Sequence, residues 1–198
     1  MNIDAKLVKS LRDRTGAGMM NCRKALQESE GDLDKAVDWL RKQGIAKAAK
    51  RSSRAASEGI VSSYVHLGGK IGVIVEVNCE TDFVARTDEF QQLGHEIAMQ
   101  IAATTPLAVS REELSKEMID KERSLYIEQA KESGKPEKIW DRIADGKLEK
   151  FFKDTCLMEQ VSIRDSDHTV EDMVKELAGK LGENIVVRRF ARFQIGEE

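Results

Sequence analysis

The chain has 198 residues, 40% hydrophobic and 34% charged, with a formal net charge of −3, two prolines and 5% aromatic residues. That is the composition of a helix-rich soluble globular protein, with room for one medium domain and an appendage or for two small domains. No apolar run is long enough to cross a bilayer, and Met1-Asn2-Ile3-Asp4 shows no basic region ahead of an apolar one, so neither membrane insertion nor a signal peptide is expected.

Residues 4–14 predict a short helix. Asp4 is its candidate N-cap, and Leu7, Val8 and Leu11 share one face. Thr15-Gly16-Ala17-Gly18 breaks it, and a second helix runs from about Met19 to Glu28, closed by Gly31. Asp32 caps a third, with Leu33, Ala36, Val37 and Leu40 on its apolar face and Gly44 as its stop. Three short helices bury little core, and such bundles commonly serve as binding modules. Met19 and Met20 are adjacent, so one is expected to pack and the other to remain exposed as adaptable contact surface.

Residues 1–54 hold 13 Lys/Arg against 7 Asp/Glu, a net of +6, and the remainder carries −9. A basic end suits an acidic partner surface, whereas the acidic body argues against nucleic acid as the main ligand. Residues 45–57 read as a basic linker with no apolar stripe to dock it and no aromatic side chain to stack on a base.

From Gly59 the pattern turns to strands. Residues 60–67 and 70–77 form two β-type runs around Gly68-Gly69, a hairpin signal. The second strand leads into Glu76-Val77-Asn78-Cys79-Glu80-Thr81-Asp82-Phe83-Val84-Ala85-Arg86, a strand-to-helix connection of the kind that often carries function on a rigid scaffold. Asp82 or Thr81 is placed to cap the helix that follows. Phe83 either points inward as core or outward as a wedge, and the residues alone leave both open.

A helix from Glu89 to about Ala103 carries Phe90, Leu93, Ile97 and Ile101 as core and ends at Pro106. Ser110-Arg111-Glu112-Glu113 reads as a capping box opening a long charged helix to Ser133. Residues 137–155 form its antiparallel partner, with a possible interruption at Gly146. Residues 158–163 read as a short strand or an extended segment, Thr169–Leu181 as a final helix, and Glu183–Phe193 as a strand joining the hairpin in one antiparallel sheet. The fold class is α+β.

No catalytic constellation emerges. The glycines lack phosphate-loop spacing, and His66, His95 and His168 are scattered without a metal-ligand pattern. Cys22, Cys79 and Cys156 are odd in number and widely spaced, which fits a reducing compartment rather than a disulfide or zinc framework. A binding protein without cofactor or metal is expected in preference to an enzyme.

The stretch Leu11-Arg12-Asp13-Arg14-Thr15-Gly16-Ala17-Gly18-Met19-Met20-Asn21-Cys22-Arg23-Lys24-Ala25-Leu26, the run Glu76–Arg86, and Gly182-Glu183-Asn184-Ile185 followed by Arg and Phe together resemble the elongation factor Ts family. These are guanine-nucleotide exchange factors for elongation factor Tu. The likeness covers essentially the whole chain. Asn21 stands where the family often has Asp, and Arg23 where it often has Lys. The resemblance implies a ubiquitin-associated-like three-helix domain with its basic linker over 1–54 and a core, dimerisation domain over 55–198 that includes a helical hairpin. The chain is similar to the short form of the family, which implies a homodimer in a bacterial cytoplasm. Arg12, Met19 and Met20 would dock on elongation factor Tu, and Asp82 and Phe83 would enter near its magnesium and phosphate-loop region. Phe83 would act as a wedge between helices and Asp82 would fix the approach by hydrogen bonding, with Thr81 and Val84 also contacting the partner. Exchange would be conformational, with no chemical step and no direct nucleic-acid binding. Two alternatives stand beside this: a ribosome or RNA adaptor using Lys47, Lys50, Arg51 and Arg54, and a structural dimer in which Phe83 is core.

Overall fold

A computed structural model describes residues 3–197, apart from the side chains of Ile45, Lys47 and Ala49. The chain divides into two compact units. One comprises Met1–Ile60, Asn78–Gln91 and Asp172–Val186; the other comprises Val61–Val77, Gln92–Glu171 and Val187–Glu198.

The first unit opens with α1 (Ala5–Thr15), α2 (Met19–Glu28) and α3 (Leu33–Arg51). Asp4 caps α1 by accepting the Lys6 N–H at 3.0 Å. The helix closes at Gly16, whose φ of +66° suits glycine and whose N–H donates to the Arg12 carbonyl at 2.8 Å. Asp32 caps α3 by accepting the N–H groups of Lys35 and Asp34, each at 3.0 Å. These bonds hold its carboxyl below the ordinary value, the Lys35 N–H contributing most. Val8, Leu11, Cys22, Ala25, Leu26 and Ala36 form the small core between the three helices.

Two expectations fail here. Met19 and Met20 are both exposed, at 52% and 75%, because Cys22, Ala25 and Leu26 already supply the buried stripe of α2. Nor does α3 stop at Gly44. It runs on to Arg51, so the first part of the expected linker is helix. Gly44 sits inside the helix because another backbone passes against it. A Cβ on Gly179, in α8 (Val170–Leu181), would lie 2.8 Å from the Cα, carbonyl carbon and oxygen of Gly44. Glycine inside a helix ordinarily costs about 1 kcal/mol relative to alanine, so Gly179→Ala would stabilise an isolated α8. In this fold it is expected to destabilise by about 1–3 kcal/mol through overpacking. Thermal denaturation checks this: the midpoint should fall, and a raised midpoint would show that α3 and α8 do not pack glycine against glycine.

The strands are β1 (Glu58–Val65), β2 (Ile71–Cys79) and β3 (Val186–Gln194), in sheet order β1-β2-β3 with β2 central and all neighbours antiparallel. The hairpin turns through Gly68 and Gly69 at φ of +89° and +67°, and the His66 N–H donates to the Ile71 carbonyl at 2.9 Å. On the other side the Ile195 N–H donates to the Lys70 carbonyl at 3.0 Å, and Arg189 pairs with Glu76 at 2.7 Å. Val73, Val75 and Val77 are buried at period two. Ile74 projects to the opposite face and is exposed, as are Val61, Val65 and Phe193.

In the second unit α6 (Lys116–Glu132) and α7 (Trp140–Thr155) form the expected antiparallel hairpin, with later starts than the sequence suggested. Ser110 opens only a 3-10 turn, Arg111–Glu113, with no side-chain cap. The chain then extends at Leu114, and Ser115 caps α6 by accepting the Met118 N–H at 3.2 Å. Arg111 is drawn instead to Glu149 and Glu159 and stacks 4.3 Å from the Phe152 ring centroid. The two carboxylates hold its guanidinium more firmly protonated than an ordinary arginine. Residues 137–139 form a separate 3-10 turn, and Gly146 does not interrupt α7. Residues 157–159 form another such turn, with single bridges at Ala108–Cys156 and Val161–Thr169 in place of a continuous strand.

Candidate functional site

The stretch after β2 is a tight, fully capped turn within the first unit. Thr81 has extended backbone, and its hydroxyl accepts the Val84 N–H at 3.4 Å, which starts a one-turn helix α4 (Asp82–Ala85). The cap is thus Thr81, and α4 is a separate element before α5 (Asp88–Thr104), where the residues suggested a single helix from Glu89. Thr87 closes α4 by donating from its hydroxyl to the Val84 carbonyl at 2.8 Å, and it caps α5 by accepting the Phe90 N–H at 3.3 Å. Gln91 donates to the Ala85 carbonyl at 2.7 Å. Every turn of chain from Thr81 to Gln91 is therefore held.

On this turn the side chains divide sharply. Ala85 and Phe90 are buried, whereas Phe83 is 80% exposed. Phe83 is therefore not part of the core of this chain. Asp82 is half-exposed and pairs with Arg86 one turn on, at 2.8 Å. Such a surface pair contributes little stability, so Asp82 is available to exchange partners at small cost. Val84 is partly buried.

The turn is anchored from behind by residues far away in sequence. The Glu183 carboxylate accepts the N–H groups of Glu80 and Thr81, both at 3.0 Å, and the Thr81 hydroxyl proton at 2.6 Å. The Glu80 carboxylate returns the bond, accepting the Asn184 N–H at 2.7 Å. Asn184 is buried and donates from its amide to the carbonyls of Arg54 at 2.8 Å and Ser52 at 3.3 Å. None of these three was singled out as a site residue from sequence. The visible signal was the Gly182-Glu183-Asn184 turn, whose partners lie over 100 residues upstream.

Arg12 is exposed on α1, and the exposed Met19 and Met20 open α2. They belong to the same compact unit as Thr81–Val84. Lys180 of α8 links the neighbourhoods of the two. Its Cε would lie 2.7 Å from a Cβ on Gly16, and its ammonium donates to Glu89 in the first turn of α5 at 2.7 Å. Of the basic residues considered for RNA, Arg54 pairs with Glu80 at 3.4 Å, Lys50 is exposed, Arg51 is partly buried, and the side chain of Lys47 lies outside the described residues.

All three cysteines are free and buried. Burial, with the Glu183 carboxylate adding to it, pushes the Cys79 thiol up to about 11, so it stays protonated at neutral pH and packs as a small apolar group. Among the described residues, no three His, Cys, Asp or Glu side chains gather to hold a metal ion, and no helix is long and apolar enough to cross a membrane.

Exposed aromatic and methionine side chains are a class of surface often used in protein contacts, and this α+β chain exposes Phe83, Met19, Met20 and Arg12 within one unit. Comparison with known proteins narrows this class. Residues 42–197 match the family model described as Elongation factor TS, and residues 1–48 match one described as Elongation factor Ts, mitochondrial, N-terminal. The chain is 60% identical to Elongation factor Ts of Thermosipho melanesiensis, over 98% of this chain and 100% of that one. It is 55% identical to Elongation factor Ts of Fervidobacterium nodosum over 100% of both chains, and 55% identical to that of Syntrophomonas wolfei over 98% of this chain and 91% of the other. The chain belongs to the elongation factor Ts family.

Proposed function

We propose that this chain is a guanine-nucleotide exchange factor for elongation factor Tu and that Phe83 is the wedge by which it opens the nucleotide site. The observation that carries this is the exposure of Phe83 on a turn whose backbone is otherwise fixed. The backbone that carries this apolar side chain has lost its conformational freedom before binding, so only the side-chain rotamers remain to be ordered. The side chain therefore enters a partner with little further ordering cost. Arg12, Met19 and Met20 dock the first unit on the partner. Thr81, Asp82 and Val84 set the approach of Phe83 near the magnesium and phosphate-loop region, with Asp82 leaving Arg86 for a partner donor.

Exchange follows from differential affinity. The wedge fits a nucleotide-open state of the partner better than the closed one, so binding shifts the population toward release. Linkage makes the effect reciprocal: the factor lowers nucleotide affinity by the same ratio as nucleotide lowers factor affinity. No bond is made or broken, and the factor holds no nucleotide or cofactor of its own.

The chain works as residues 1–54, a ubiquitin-associated-like module with its basic linker, and residues 55–198, the core. It acts in the bacterial cytoplasm as a homodimer. The dimer is supported by the exposed apolar face of the sheet, where Val61, Val65, Ile74 and Phe193 are open to water.

The test is release of fluorescently labelled GDP from elongation factor Tu. Adding the chain is expected to accelerate release in proportion to its concentration until saturation. Release that stays at the spontaneous rate at every concentration would overturn the exchange role.

A further inference from the structure

We propose that Glu183 is a positioning residue for exchange: with Glu80 and Asn184 it forms a two-way clasp that fixes the turn presenting Phe83. This rests on the exchange role given above. The connection from α8 to β3 and the connection from β2 to α4 each offer a carboxylate to the other's backbone. Glu183 takes the Glu80 and Thr81 N–H groups, and Glu80 takes the Asn184 N–H. Neither segment can move along its own direction without breaking bonds to an ionised acceptor, which are among the stronger hydrogen bonds in proteins.

The third bond to Glu183 reaches the wedge itself. The Thr81 hydroxyl directs its proton at Glu183, which leaves its oxygen to accept the Val84 N–H. Because the proton is committed to Glu183, the lone pairs of Thr81 face the first turn of α4. Glu183 thus sets the orientation of the cap that starts the turn carrying Phe83, although its bonds reach the chain at Thr81, two residues before that ring. Asn184 adds the rear anchor, tying the clasp to the chain leaving α3 through the Arg54 and Ser52 carbonyls.

A clasp of this kind acts on the geometry of the wedge rather than on docking. Misplacing a group by about 1 Å can cost up to about a hundredfold in rate. Glu183→Ala is therefore expected to lower the maximal rate of GDP release, at saturating factor, by about tenfold or more. The factor concentration giving half that rate should change by less than about threefold, since Arg12, Met19 and Met20 are untouched. Glu183→Gln keeps one acceptor oxygen for the two backbone N–H groups and should recover most of the loss. Thr81→Val, which removes only the hydroxyl, should repeat the fall in maximal rate if Glu183→Ala proves too unstable to assay. In the free chain, amide hydrogen exchange at Glu80, Thr81 and Val84 should quicken in Glu183→Ala.

Several results would overturn the proposal. One is a Glu183→Ala chain that remains within twofold of wild type at saturation. Another is Glu183→Gln failing as badly as alanine, which would mark a direct charge contact with the partner. A third is unchanged amide exchange at those three positions. If the wild-type chain itself leaves GDP release at the spontaneous rate, the exchange role falls and the role of Glu183 falls with it. If wild type exchanges normally and only the variants disagree, the clasp alone is wrong.

Discussion

Phe83→Ala is expected to leave the protein folded and to remove most of its ability to release GDP. The side chain is 80% exposed, so its loss removes little buried area, and surface substitutions of this kind usually stay within about 0.5 kcal/mol. The capping bonds of Thr81 and Thr87 and the Gln91 bond to the Ala85 carbonyl involve no atom of the ring. In the complex the same ring is proposed to be the anchor of the interface. Truncating such an anchor costs about 2 kcal/mol or more, and 1.4 kcal/mol is a factor of ten, so exchange should fall about 30-fold or more. The thermal midpoint and the rate of labelled GDP release, measured on one preparation, separate the two effects. A variant that melts early while its folded fraction exchanges normally would contradict the wedge role.

The opposite outcome is expected seven residues on. Phe90 is fully buried in the first turn of α5, and Phe90→Ala should destabilise by about 3–5 kcal/mol through lost transfer energy and a residual cavity. Total stabilities of domains are about 5–15 kcal/mol, so this loss could leave a substantial fraction unfolded at growth temperature. The folded fraction should still exchange, because Phe90 presents nothing to the partner. Denaturant titration gives the first quantity, and exchange normalised to folded protein gives the second. A midpoint equal to wild type would contradict the burial of Phe90, since collapse of the pocket removes the cavity cost but not the lost transfer energy.

The contrast between these two phenylalanines shows what the residues could and could not reveal. Phe90 lies on a helical stripe with Leu93, Ile97 and Ile101, and all four are buried. Periodicity alone identified them. Phe83 has no stripe to belong to, because α4 is a single turn of four residues. Its direction is set by caps at Thr81 and Thr87 that differ from other Thr residues only in their surroundings. The Asp4 and Asp32 caps and the Gly68-Gly69 hairpin were legible for the same local reason: donor and acceptor lie within a few residues.

What was misread depends on contacts distant in sequence. Gly44 reads as a helix stop until Gly179 is known to press on it. Ser110 reads as a cap until Arg111 is seen to be drawn to Glu149 and Glu159. Met19 and Met20 are both exposed because smaller residues fill the stripe of α2. Glu183 and Asn184 are the extreme case, since their partners lie more than 100 residues upstream. Their chemistry could not be inferred from spacing.

The most direct measurement is the rate of labelled GDP release from elongation factor Tu at saturating concentrations of the wild-type chain and of folded Phe83→Ala, side by side. If Phe83 is the wedge, wild type accelerates release and the variant stays close to the spontaneous rate. If folded Phe83→Ala accelerates release as well as wild type does, Phe83 is not the wedge, and the nucleotide site is opened by another part of the surface.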